Sequence, residues 1–208
     1  MLRNVIYIIG SIIIFFAGAL IYGVFLNFRE VSLTQKMNEM NIKQIKNASI
    51  YIDRRNYSLK LFSDTLEIKA YKVVFGRNSS SNKISKDDFI TPTGNYIICK
   101  IDTHYIYYKK FSLNYPNLQD ASEALRNKII TQKEFKEIYK SLSESGCSFG
   151  DTPLGSNISI HGIGEFNIIF KNLPFVFNWT NGSIALSNED IDELYNVVKI
   201  GTKVIIRN

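Results

Sequence analysis

His161 follows the alternating run "SNISI" and precedes "GIG", and further along Ser183 lies in "WTNGSIAL". Neutral imidazole accepts protons near physiological pH, and a hydroxyl becomes a useful nucleophile when a base takes its proton. A base at a strand end and a nucleophile on a tight glycine turn form the general pattern of nucleophilic acyl transfer. Gly162 and Gly182 suit that pattern, because glycine lets backbone and ligand approach closely. Spacing alone is a weak signal, since a lone histidine at a strand end more often serves packing.

The flanking elements are those that must hold such a pair. "ASIYIDRRNYSLKLF" alternates apolar and polar residues on both sides of "DRRN", which predicts a hairpin. "TLEIKAYKVVFG", "TPTGNYIICKID", "YIYYKKFSLNYP" and "GTKVIIRN" read as further strands rich in β-branched and aromatic residues. "RNSSSNKISKDD" is a polar loop. Residues 117–145 change period: Ala124, Leu125, Ile129, Phe135, Ile138, Tyr139 and Leu142 recur at helical spacing, and Thr131 with Glu134 forms a capping box. This helical pair interrupts the sheet as a lid, a cap or a packing element. "SNEDIDELYNVV" is an amphipathic helix with Ser187 as its N-cap.

The chain has 208 residues, room for one ordinary domain and an appendage. Residues 5–26, "VIYIIGSIIIFFAGALIYGVFL", carry no charge and no proline. As a helix they span about 33 Å, enough for the hydrocarbon core of a bilayer. The apolar region of a cleaved signal peptide is shorter, so these residues read as an uncleaved transmembrane signal anchor in contact with membrane lipid. Residues 1–4 are then a short flank, residues 27–47 a helical or extended stalk, and residues 48–208 the folded domain. Arg3 precedes the span while Arg29 and Lys36 follow it, so flanking charge does not decide orientation.

A net charge of +6 and a pI near 9.2 suit an anionic surface such as lipid headgroups or cell-wall polymer. No basic helix with spaced aromatics, zinc-finger spacing or phosphate loop is present, which argues against nucleic acid. With His104 and His161 as the only histidines and no Cys/His cluster, neither a metal site nor a cofactor is expected. Cys99 and Cys147 are expected to be two small buried hydrophobes in preference to a disulfide. The oligomeric state is not legible.

Four stretches in order, "TPTGNYII", "FSLNYPN", "DTPLGSNISIHGIG" and "WTNGSIALSNEDIDEL", resemble the L,D-transpeptidase catalytic domain (the YkuD-like family), whose members cross-link or remodel bacterial peptidoglycan. The resemblance runs from about Ser49 to Asn208. It implies a mainly β (α+β) fold, an L,D-transpeptidase-like β-sandwich or barrel with helical insertions, here preceded by one transmembrane helix. Together with the anchor read from residues 5–26, it implies a single-pass protein of the bacterial cytoplasmic membrane, its catalytic domain facing the periplasm or cell wall, with a part in wall biogenesis and cell shape. The partner implied is the peptidoglycan stem peptide, attacked at an L-centre–D-Ala bond to give an acyl-enzyme that a neighbouring amine resolves.

Family members carry their nucleophile as cysteine in an "S/T-x-G-C" turn, and the corresponding stretch here is "TNGS". Thr180 and Gly182 match, and Ser183 stands where the cysteine is expected. His161 matches the base, oriented by a backbone carbonyl. Backbone N–H groups around Gly182 and Ser183 match the oxyanion hole. Gly162, Trp179 and Thr180 are expected at the substrate. Ala185 stands where many relatives carry arginine. The loop from Gly76 to Gly94 and the helical insert are expected cleft walls.

A thiol near an imidazole is largely thiolate, whereas a serine hydroxyl is not ionised near neutral pH. The exchange is therefore expected to slow acyl transfer by several orders of magnitude. Three accounts of Ser183 stay open: an introduced replacement of a native cysteine, a natural pseudoenzyme that still binds stem peptides, and a serine acyltransferase or hydrolase. Cys147, in "SESGCSFG", imitates the nucleophile turn but precedes the histidine strand.

Overall fold

A computed structural model describes residues 2–27, 30–80, 82–148, 150–173 and 176–208. Arg29, one of the charges flanking the apolar run, and Ser81 of the polar loop lie outside the described residues. Residues 48–63 form the hairpin their alternation predicts. Strands β1 (Ala48–Asp53) and β2 (Ser58–Ser63) set Ile50 opposite Leu61 and Ile52 opposite Leu59. All four are buried, because alternation places one set of side chains on one face. Asp53 fastens the turn between them. Its carboxylate accepts from the backbone N–H groups of Arg55 and Asn56, both at 3.0 Å, and from the Asn56 side chain at 2.7 Å. The Asn56 side-chain bond, then its backbone bond, hold this carboxyl below its ordinary pKa.

Six further strands complete the sheet: β3 (Leu66–Lys72), β4 (Gly94–Tyr105), β5 (Tyr108–Leu113), β6 (Ser159–Gly162), β7 (Ile184–Leu186) and β8 (Lys203–Arg207). Their order is β3-β2-β1-β8-β4-β5-β6-β7. The C-terminal strand enters the middle, parallel to β1 and antiparallel to β4. Just beyond β3, Val74 pairs with Ala185 of β7 through two N–H···O bonds of 2.9 Å. The two edges of the mixed sheet therefore meet, making it nearly barrel-shaped and covering edges that would otherwise stay open. Leu59, Leu61, Phe111, Ile160, Ile184 and Ile206 fill the interior, each fully buried side chain stabilising by roughly 1.5–3 kcal/mol. The expected strand "YIYYKKFSLNYP" begins only at Tyr108, since Ile106 and Tyr107 form the turn after β4.

Helix α1 (Leu2–Asn27) contains the apolar run, and Leu2–Phe25, with a mean hydropathy of 2.5, is long and apolar enough to cross a membrane. Helix α2 (Leu33–Glu39) starts at Ser32, whose hydroxyl accepts from the Gln35 N–H. It lies in the segment expected to be a stalk, yet Leu33 is buried in the main core, with Met37, Met40, Ile42 and Ile45 against it. The apolar residues 33, 37 and 40 share one helical face, which docks on the sheet.

The predicted helical pair is present as α3 (Leu118–Arg126) and α4 (Gln132–Ser145), opened by capping boxes at Asn117 and Thr131. Ala121, Ala124, Ile130, Ile138 and Leu154 make a second, small core. Tyr139, spaced as if to face inward, is exposed. Gly146, at φ 73°, ends α4 in the left-handed conformation. The next residue, Cys147, is bonded to Cys99 of β4 across a Cα–Cα distance of 5.4 Å. This disulfide corrects the expectation of two separate buried thiols: a linear spacing says nothing about how the insert folds back on β4. It also removes Cys147 as an alternative nucleophile. Helix α5 (Asn167–Phe170) and helix α6 (Asn188–Tyr195) complete the chain, α6 starting at Ser187, which accepts from the Asp190 N–H at 3.1 Å.

Candidate active site

Strands β6 and β7 lie side by side and parallel, with Ile160 against Ile184 and His161 against Ala185. Ser183, one residue before β7, therefore falls beside Ser159. Its hydroxyl accepts from the Ser159 N–H at 3.2 Å and lies 3.2 Å from the Ser159 hydroxyl. The fold thus brings His161 and Ser183 onto neighbouring strands, and adds Ser159, which sequence reading did not single out.

The turn before Ser183 is shaped by two residues. The Thr180 hydroxyl accepts from the Gly182 N–H at 3.2 Å and donates to the Ser183 carbonyl at 2.6 Å. Gly182 adopts φ +114°, and a Cβ there would lie 2.8 Å from the Ile90 carbonyl oxygen, so both conformation and space select glycine. The segment after β3 packs backbone to backbone on this turn. The Thr180 N–H donates to the Phe75 carbonyl at 3.2 Å, and the Arg77 N–H donates to the Thr180 carbonyl at 3.0 Å.

His161 is only 3% exposed. Its Nδ1 lies 2.7 Å from the Gly162 carbonyl. A carbonyl can only accept, so Nδ1 carries the proton and Nε2 is the basic nitrogen. The Tyr107 ring stacks on the imidazole at 5.1 Å and Trp179 meets it edge-on at 5.8 Å. Burial pushes the imidazole pKa down from 6.5 to about 4, with the Lys110 charge acting the same way and the Gly162 bond opposing. At neutral pH the ring is uncharged and able to take a proton.

Of the residues expected at the substrate, Trp179 is partly exposed, whereas Gly162 and Thr180 are buried. Gly162 holds His161, and a Cβ there would lie 2.7 Å from Asn188 Oδ1. Thr180 braces the turn before Ser183 from inside. Of the two expected cleft walls, the loop after Gly76 reaches the turn through Ile90. A cavity of about 680 Å³ lies beside Trp179, lined by Phe170, Phe177, Lys69 and Asp190, and includes neither Ser183 nor His161. His161 and Ser183 lie on strand β6 and on the turn before the neighbouring β7, with this cavity next to them. Among the described residues no group of His, Cys, Asp or Glu could hold a metal ion.

The buried imidazole makes stability depend on pH. Its pKa is 6.5 ordinarily and about 4 in the fold, so between those values the unfolded chain binds more protons and stability rises with pH. Acidification across that window removes about 3 kcal/mol. Asp120 and Asp190, both raised by burial to about 6, act in the opposite sense and are common to any His161 variant. Urea titrations should therefore show wild type losing more stability than His161→Gln between neutral and acidic pH. Equal losses would contradict a neutral buried imidazole.

Residues 47–206 match the YkuD family, described as the L,D-transpeptidase catalytic domain. No curated protein matches the sequence. Among solved structures, a variant of the helical cell shape determining protein Pgp2 from Campylobacter jejuni is 18% identical with a TM-score of 0.50, covering 85% of this chain and 55% of that one. Bd1075 of Bdellovibrio bacteriovorus is 20% identical with a TM-score of 0.48, covering 78% of this chain and 48% of that one. An L,D-transpeptidase from Mycobacterium tuberculosis is 15% identical with a TM-score of 0.46, covering 78% and 58%. The chain thus spans roughly half of the length of these structures, and the likeness concerns the fold.

Proposed function

The chain belongs to the YkuD family of L,D-transpeptidase catalytic domains, and from that premise we propose that it is a bacterial envelope protein acting on peptidoglycan stem peptides by acyl transfer. The observation that carries this reading is His161, fixed by the Gly162 carbonyl one strand away from the Ser183 turn. We read Ser183 as occupying the nucleophile position. Its hydroxyl leaves Ser159 and attacks the carbonyl carbon of the L-centre–D-Ala bond while His161 Nε2 takes its proton. We read the backbone N–H groups around Gly182 and Ser183 as the oxyanion hole, the Gly182 N–H exchanging its 3.2 Å bond to Thr180 for the developing charge. The C–N bond then breaks, and the imidazolium returns the proton to the departing D-Ala amine. An amine of a second stem attacks the ester, gives a proton to His161, and releases Ser183 as that proton returns to it.

Residues 5–26 anchor the protein in lipid, residues 27–47 connect them to the domain, and residues 48–208 face the cell wall. The Cys99–Cys147 disulfide supports that orientation, since disulfides persist on the oxidising side of the membrane. A second reading, a stem-peptide-binding protein without turnover, is favoured by one observation: the Ser183 hydroxyl is engaged by Ser159.

Incubation of the full chain with a stem tetrapeptide and an amine acceptor separates the two. Released D-Ala and cross-linked dimer, both lost in His161→Ala, are expected. Peptide binding without D-Ala release above the His161→Ala level would leave the non-catalytic reading standing.

A further inference from the structure

The segment joining β6 to the Ser183 turn is ordered inside out. Asn167 and Asn172 are 7% and 4% exposed, while Phe166 and Ile168 between and beside them are 62% and 73% exposed. The polar side chains hold the segment from within. Asn167 Nδ2 donates to Glu189 at 2.8 Å and its Oδ1 accepts from the Asn188 N–H at 2.9 Å, while Asn172 Nδ2 donates to the Ile168 carbonyl at 2.7 Å. Gly164 exchanges two bonds with the Asn188 side chain, at 2.9 and 3.0 Å. With Asn167 and Asn172 turned in and Glu165 left at the surface, the segment presents Phe166, Ile168, Ile169, Val176 and Phe177 outward. Ile106, exposed at the β4–β5 turn, extends the patch, since the backbone of that turn lies against Gly164. Soluble surfaces rarely display a contiguous apolar patch of this kind without a partner.

The position of the patch indicates the partner. Gly23, near the end of α1, is buried against the Asn172 backbone, where a Cβ would overlap the carbonyl oxygen. The charge-free run of residues 5–26, about 33 Å long as a helix, slightly exceeds a hydrocarbon core of about 30 Å. Gly23 therefore lies where the helix leaves the hydrocarbon, and the inverted segment is at the same level. We propose that this segment is a second membrane contact, its apolar side chains dipping into the bilayer surface beside the anchor. This rests on the anchor reading of residues 5–26. Trp179, which meets both Phe170, at 5.7 Å, and His161, at 5.8 Å, then lies with Tyr107 between the patch and the imidazole. The site would work on stem peptides held close to the membrane.

The chain has one tryptophan, which makes the test direct. The full chain is reconstituted in phosphatidylglycerol–phosphatidylcholine vesicles with acyl chains brominated either near the glycerol end or near the chain terminus. Shallow bromines should reduce Trp179 emission to about half, deep ones should leave it unchanged, and Phe166→Glu with Ile168→Glu should abolish the loss. The described cysteines are paired, so a fluorophore on Phe15→Cys reports the anchor separately. Quenching of that label by deep bromines, with Trp179 unquenched by either lipid, would overturn the second contact and leave the anchor intact. An unquenched label would overturn the anchor and the contact together. Trp179 emission that ignores bromine position but changes with the protein-to-lipid ratio would assign the patch to a second copy of the chain, and overturn the proposal as well.

Discussion

Ser183→Cys should raise the rate of D-Ala release from a stem tetrapeptide by about three orders of magnitude. The atom at position 183 receives the Ser159 N–H at 3.2 Å. A hydrogen bond of that kind favours an anion over a neutral hydroxyl or thiol. A thiol, with an ordinary pKa near 8.5, gains from that bond and from the nearby imidazole, whereas a hydroxyl stays protonated and needs His161 during the attack itself. Pairing with a thiolate should also lift the His161 pKa above its value of about 4, although burial opposes the charged ring. Rate measurements on both forms across pH therefore test the turn and the base together. A cysteine form no faster than the native chain would mean that the surroundings of residue 183 are not arranged for an anionic nucleophile.

Removing the disulfide should have the largest effect on stability. Cys99 and Cys147 are 48 residues apart, and closing a loop of that length removes unfolded-state entropy equivalent to about 4 kcal/mol. The bond ties the end of α4 to β4, whereas the start of the insert is held there by the Asn117–Asn95 and Tyr96–Asp120 hydrogen bonds and the rest packs on the small core of Ala121, Ala124, Ile130, Ile138 and Leu154. Cys99→Ala with Cys147→Ala should therefore lower the denaturant midpoint strongly, with the insert loosening first in hydrogen exchange. A loss below about 1 kcal/mol would mean that the unfolded chain is already compact across this loop.

The parts of this protein that were legible in its sequence are those where a local rule suffices. The β1–β2 hairpin follows from alternation around "DRRN", and α4 and α6 follow from Thr131 and Ser187 as caps. His161 and Ser183 were visible because glycines flank one and precede the other. What escaped depends on distant approach. Strand β7 has three residues, too few to show a period, and exists because Ala185 pairs with both Val74 and His161. Ser159 gained its place from register alone. Tyr107, in the middle of an apparent strand, became a turn residue stacked on His161. Helix α2 read as a spacer because its polar residues outnumber its apolar ones, and only its single docked face reveals the contact.

Acyl transfer by Ser183 is tested most directly by intact-mass spectrometry of the native chain after incubation with a stem tetrapeptide. An acyl ester on Ser183 is expected, absent in His161→Ala and more abundant, as a thioester, in Ser183→Cys. An adduct on the cysteine form with none on the native serine, even at long times, would contradict acyl transfer by Ser183 and leave a peptide-binding protein silenced at one atom.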